Sequence, residues 1–207
     1  MNAAADNLSF WSSRARPLLG LLLCAAFIIL RLLPLSGAFG GDADYNLIAG
    51  LFASLPLYNV ADAILALLVV AHAFLSVLSI YSSSIAPVSF FSSGNVTYIV
   101  GRISGAAIVP FVGYLMYATR FSPGATLHGV ADFDSISALI SSPSTFIFFT
   151  GGFIALGAYI ACALRLVFFQ WGLLAGRRAK RFFGFFTSCV GFVIAMWGLL
   201  VLFAFRV

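Results

Sequence analysis

Few side chains in this sequence can do chemistry, and most of those lie inside apolar runs. His72 is the one histidine within a long apolar segment, followed by Phe74, Ser76, Ser79 and Tyr81; His128 falls in a polar stretch. A lone imidazole at membrane depth is either a hydrogen-bonded structural group or a metal ligand. Arg31 and Asp62 sit near matching ends of two consecutive segments. There they can form a buried ion pair, flank a polar ligand, or let Arg31 reach up to the interface. Arg102 and Arg165 lie toward the opposite ends of two later segments, as interface anchors or as the lining of an anion-attracting pocket. Cys24, Cys162 and Cys189 each stand alone in an apolar run, without metal-ligand spacing, and read as small buried hydrophobes. No hydrolytic triad, P-loop, zinc motif or catalytic carboxylate pair is present, and the chain has no glutamate.

The elements that must position these residues follow from composition. Of 207 residues, 62% are hydrophobic and 8% charged, too little polar surface to cover a water-soluble globule. Mean hydropathy is +1.10, and 23 residues are Phe. Five stretches reach the roughly 20 apolar residues that a helix needs to cross a bilayer. They run over about residues 17–35, 57–81, 96–119, 143–171 and 182–205, with proline, glycine and serine at their borders. The expected fold is an all-α integral membrane bundle of five transmembrane helices, one domain over residues 1–207.

Charge orients the bundle. If five helices alternate, Arg14, Arg16, Arg177, Arg178, Lys180 and Arg181 share one side, and Asp42, Asp44, Arg120, Asp132 and Asp134 share the other. The first side is expected to be cytoplasmic, with the amino terminus inside and the carboxyl terminus outside. A net charge of +5 built from 17 charged side chains reflects this bias, and nucleic-acid binding is not expected. The first segment has basic residues before it and small residues after it, as a signal peptide would. Its length and Arg31 make it a retained helix. Between the third and fourth segments, Asp132-Phe133-Asp134 and the following Ser-Ile-Ser-Ala-Leu-Ile predict a short amphipathic element at the outer surface. Gly101-x-x-x-Gly105 and Gly151-Gly152 predict close helix contacts.

Four stretches, in order and at matching spacing, carry a family resemblance. They are Arg14-Ala-Arg-Pro-Leu-Leu-Gly20; Tyr45 to Pro56 followed by Ala71-His72-Ala73; Gly101-Arg102-Ile-Ser-Gly105 with Tyr117-Ala-Thr-Arg120; and Asp132-Phe-Asp134 with Ile140-Ser-Ser-Pro143, leading to Gln170-Trp-Gly172. The chain resembles the five-helix cytochrome b membrane subunit of succinate dehydrogenase and fumarate reductase complexes of the succinate:menaquinone type. The resemblance implies a membrane anchor in the cytoplasmic membrane, with no succinate chemistry of its own. It would dock a flavoprotein subunit carrying FAD and an iron–sulfur subunit carrying the clusters, and exchange electrons with a quinone, menaquinone by the family's habit. A higher oligomer of the complex is compatible with it. Two other classes stand beside this reading: an independent small carrier or channel, and an assembly subunit that has lost quinone chemistry.

The family holds two haems through four histidines, one on each of the first four helices. By alignment those positions are Arg31, His72, Leu115 and Tyr159. Leucine cannot ligate iron, and arginine stays protonated, so haem b is expected to be absent; the alternative keeps one haem through His72, with Tyr159 opposite. Without haem, an Arg31–Asp62 pair would occupy the outer position and a His72–Tyr159 hydrogen bond the inner one. Phe146, Phe148, Phe149, Phe153, Phe168 and Phe169 would refill the vacated volume. Quinone would then bind near the cytoplasmic surface, within reach of the iron–sulfur partner. The candidate contacts are Arg14, Arg16, Tyr81, Arg102, Ser104 and Trp171, with arginine and serine as donors and aromatic rings as packing surfaces.

Overall fold

Long apolar runs with no internal breaker other than Pro17 and Pro110 fold as helices, because in hydrocarbon each backbone N–H and C=O must be satisfied within its own segment. The computed structural model describes residues 3–82, 93–121, 129–173 and 176–206, with side chains from 14–78, 96–121, 129–173 and 176–206. Seven α-helices follow in order: α1 (Ala3–Phe27), α2 (Asp42–Ser54), α3 (Tyr58–Ser82), α4 (Ser93–Met116), α5 (Phe133–Ser141), α6 (Pro143–Gln170) and α7 (Arg177–Ala204). Helix α1 continues through a π-helical turn at Ile28–Leu32 and shorter turns to Gly40, and α4 continues through a second π-turn at Tyr117–Phe121. Among the described residues five helices, α1, α3, α4, α6 and α7, are long and apolar enough to span a membrane, and there is no strand. The last of them starts at Arg177, so its first turn is the basic Arg177-Arg178-Ala-Lys180-Arg181 stretch rather than the apolar run after it.

Helix α6 is central, packing against α1, α4 and α7, while α3 packs against α1 and α4. The α6–α7 contact is made at backbone level. Gly157 and Gly191 face one another, and a Cβ on either would collide with the other's carbonyl oxygen. The central packing is aromatic: Phe111 lies 5.4 Å from Phe27, 5.0 Å from Phe153 and 6.2 Å from Phe149. Of the six phenylalanines expected to fill the centre, Phe149 and Phe153 do so. Phe148 and Phe169 are exposed, Phe146 lies against Phe203 and Phe168 against Phe183. Gly152 leaves room for Phe111, whereas a Cβ at Gly151 would meet nothing. Cys24 and Cys162 are buried, but Cys189 is exposed on the outside of the bundle.

Two short helices close the acidic end. Helix α5 is the expected amphipathic element, capped by the Asp132 carboxylate accepting from Ser135 N at 2.9 Å, with Ile136 and Ile140 buried. Helix α2 is absent from the sequence expectations. It is tied to α5 by Tyr45 donating to Ala131 O at 3.0 Å and by Phe133 N donating to Asn46 Oδ1 at 3.0 Å. Tyr45 and Phe133 also pack on Phe205 at the end of α7. Burial pushes the Tyr45 phenol well above its ordinary pKa, so it stays a neutral donor.

Candidate functional site

Helix α3 is the outermost of the five spans, and it shows lipid-type residues such as Val60, Ile64, Leu67, Phe74 and Val77 on its exposed side. Its inward stripe carries Tyr58, Asp62, Leu65, Val69 and His72, spaced four, three, four and three residues apart, the repeat of one helix face. At 1.5 Å per residue, Asp62 and His72 are separated by about 15 Å along the axis. One helix face therefore presents two polar sites, near the acidic and the basic ends of the bundle.

At the acidic end Asp62 joins two arginines. Arg31 Nη2 lies 2.6 Å from Asp62 Oδ1, and Arg120 Nε lies 2.6 Å from Oδ2. The Arg31 side chain is 2% exposed and the Asp62 side chain 9%, so their charges must be neutralised within the protein. Arg31 Nη1 also donates to Tyr58 Oη at 2.8 Å, and Arg120 Nη1 donates to Gly129 O at 2.8 Å. The remaining Arg120 amine binds Asn59 Oδ1, and the Tyr58 ring lies 4.9 Å from the Arg120 guanidinium carbon. Both arginines stand on the two π-turns. A π-turn inserts an extra residue into the helix and re-aims the side chains around it, and here the two turns bring helix ends from opposite sides of α3 onto one carboxylate. Arg120 was placed by sequence only at the end of the third segment. Its position three residues beyond Tyr117 at a span terminus was the available signal.

At the basic end a partly enclosed cavity of about 40 Å³ is lined by Arg16 of α1, His72 and Ser76 of α3, Gly101, Arg102, Gly105 and Ala106 of α4, and Tyr159 of α6. His72 Nε2 lies 3.3 Å from Gly105 O. A carbonyl only accepts, so this bond puts the proton on Nε2 and leaves Nδ1 with a lone pair. The expected His72–Tyr159 hydrogen bond does not form. The two rings meet edge to face at 5.3 Å, and neither His72 Nδ1 nor Tyr159 Oη has a partner among the described residues. Glycine makes this approach possible: a Cβ at Gly105 would come within 2.9 Å of the Tyr159 ring, and one at Gly20 would collide with its hydroxyl. Gly101, one turn away, faces Cys162 of α6, so the Gly101/Gly105 pair forms the helix contact that its spacing implies.

The quinone-contact candidates divide accordingly. Arg16 and Arg102 both line the cavity, and Arg102 also donates to Tyr98 Oη at 2.8 Å. Ser104 returns its hydroxyl to Val100 O at 2.6 Å and does not line the cavity. Trp171, exposed at the end of α6, and the half-buried Arg14 lie off the cavity. The Tyr81 side chain and His128 fall outside the described residues. His72, Ser76 and Tyr159 are the polar lining residues outside the set of expected quinone contacts. Arg165, also near this end, donates to Thr97 Oγ1 at 3.0 Å over the space left by Gly184.

Of the four positions that the resemblance aligns with haem ligands, two offer iron no donor atom. Arg31 is an acceptor-free cation held by Asp62, and Leu115 is a buried hydrocarbon. Beside Leu115 the leftover apolar space is about 10 Å³. The space at His72 and Tyr159 suffices for about three waters at ~10–15 Å³ each, not for a porphyrin. No group of three or more His, Cys, Asp or Glu side chains able to hold a metal occurs among the described residues.

Comparison with known proteins finds a relative of matching length. The chain is 24% identical over 202 residues to the succinate dehydrogenase cytochrome b558 subunit of Bacillus subtilis (strain 168). The match runs end to end, covering 97% of this chain and 99% of the relative. No family model matches the chain.

Proposed function

We propose that this chain is the membrane-anchor subunit of a succinate dehydrogenase or fumarate reductase complex, working without haem b. The observation that carries the reading is the end-to-end match to the Bacillus subtilis subunit, beside five helices long and apolar enough to span a membrane among the described residues. In this reading the basic end faces the cytoplasm. Arg177, Arg178, Lys180 and Arg181, all exposed, lie on the side where the flavoprotein and iron–sulfur subunits dock. The chain lies in the cytoplasmic membrane with its carboxyl terminus outside. The chain does no succinate chemistry; FAD and the iron–sulfur clusters belong to the partners.

Haem loss is supported by the residues at the four ligand positions and by the aromatic packing around Phe111. Without haem there is no electron relay across the bilayer, so quinone, proposed to be menaquinone, is reduced or quinol oxidised near the cytoplasmic face. The cavity between Arg16 and Arg102 lies at that end and offers cationic donors for a quinone oxygen that gains negative charge. Affinity purification from membranes tests the assignment. A flavoprotein and an iron–sulfur protein are expected to co-purify with succinate-to-quinone activity, and a chain that purifies alone overturns it.

A further inference from the structure

The basic-end cavity has an uneven set of polar groups, and that set selects its occupant. Arg16, Arg102 and the Tyr159 hydroxyl are donors, while the lone pair on His72 Nδ1 is an acceptor, fixed as such by the Nε2 bond to Gly105 O. His72 is 1% exposed and Tyr159 5%, and His72 Nδ1 and Tyr159 Oη both lack a partner among the described residues. Buried polar groups are nearly always paired, so two orphans on residues that line one cavity mark a place for a ligand or water. A phosphate or carboxylate would satisfy the donors and leave Nδ1 unmet. An oxygen that alternates between C=O and C–O–H meets both kinds: as a carbonyl it accepts from Tyr159, and as a hydroxyl it donates to His72.

Shape agrees with this chemistry. The space of about 40 Å³ takes two or three waters or one carbonyl edge of a planar ring, not the whole ring. Its rim on the outside of the bundle is formed by half-buried Ser76 and exposed Ala106, both small. A flat ring can lie between α3 and α4 at that rim, with its apolar tail along exposed residues such as Ile103 and Phe74. We propose that the carbonyl edge of a quinone head group enters this cavity, with Tyr159 and His72 as its polar contacts and Ser76 and Ala106 as its doorway. This rests on the anchor reading above and makes quinone contacts of two residues that stand at haem-ligand positions.

Membranes holding the assembled complex provide the test. Succinate oxidation coupled to an artificial dye bypasses the quinone site and measures how much complex is present. Tyr159→Phe keeps the ring on His72 and removes only the hydroxyl; Ala106→Phe plugs the doorway from the lipid side. Both are expected to raise the quinone KM at least ten-fold relative to the dye-linked rate. An unchanged quinone KM in both, with a raised KM in Arg102→Leu, overturns this inference and leaves the anchor reading standing. Absence of any succinate-to-quinone activity in the unmodified complex overturns the anchor reading itself. Photolabelling of the unmodified complex with an azidoquinone serves where a variant fails to assemble. Label within residues 72–76 or 101–106 supports the proposal, and label confined elsewhere overturns it.

Discussion

The two polar sites on α3 solve the same membrane problem in opposite ways. At the acidic end the charges meet one another, and two guanidinium groups close on the two oxygens of the Asp62 carboxylate. At the basic end the buried pair His72 and Tyr159 is left with one open atom each. The difference follows from the price of burial. An unpaired ion in hydrocarbon costs far more than an unpaired hydroxyl or imidazole nitrogen, so charge must be neutralised by the protein itself, whereas a neutral orphan is tolerable. A site built from ions is therefore neutralised within the protein, and one built from neutral polar atoms keeps hydrogen-bonding capacity for something else.

Removing Asp62 should break the comparison most severely. Asp62→Leu leaves two guanidinium groups facing each other without an anion, at a cost of about 3–5 kcal/mol. The expected outcome is loss of assembled complex from membranes and early thermal aggregation in detergent. The triple variant Arg31→Leu, Asp62→Leu, Arg120→Leu removes all the charge and should recover most of that stability, because apolar groups of similar size often match a buried ion network. Failure of the triple variant to recover would mean that the cluster does more than hold helices together.

The inner site should respond with the opposite sign. In quinone-free complex, Tyr159→Phe removes a buried hydroxyl that has no partner, so thermal stability should stay level or rise, by up to about 1 kcal/mol. A drop above 1 kcal/mol in a melting experiment would show that the hydroxyl is already paired. The smallest effect is expected far from both sites: Trp197→Phe loses the bond from Nε1 to Ser36 Oγ, at about 1 kcal/mol or less, with the quinone KM unchanged.

Much of this architecture was legible because membrane burial penalises polarity so heavily. Five spans follow from apolar length, and the pairing of Arg31 with Asp62 was one of three arrangements that two opposite charges at matching depth left open. What was not legible depends on backbone detail. Apolar patterning does not announce a π-turn, so the inward aim of Arg120 was missed. Helix α2 was missed because its thirteen residues are too few to span and follow directly on a glycine pair. The His72–Tyr159 bond was expected because the resemblance aligns the two residues with facing haem ligands. Gly105, by exposing its carbonyl to the imidazole, captures Nε2 instead, and that exchange creates the open cavity.

In the proposed anchor, polar side chains and aromatic packing stand where haem would be. A visible spectrum of the purified, dithionite-reduced complex tests it most directly, recorded on a preparation that still transfers electrons from succinate to quinone. The account predicts flavin and iron–sulfur absorption with no b-type α-band. A b-type band amounting to one haem per complex would contradict it.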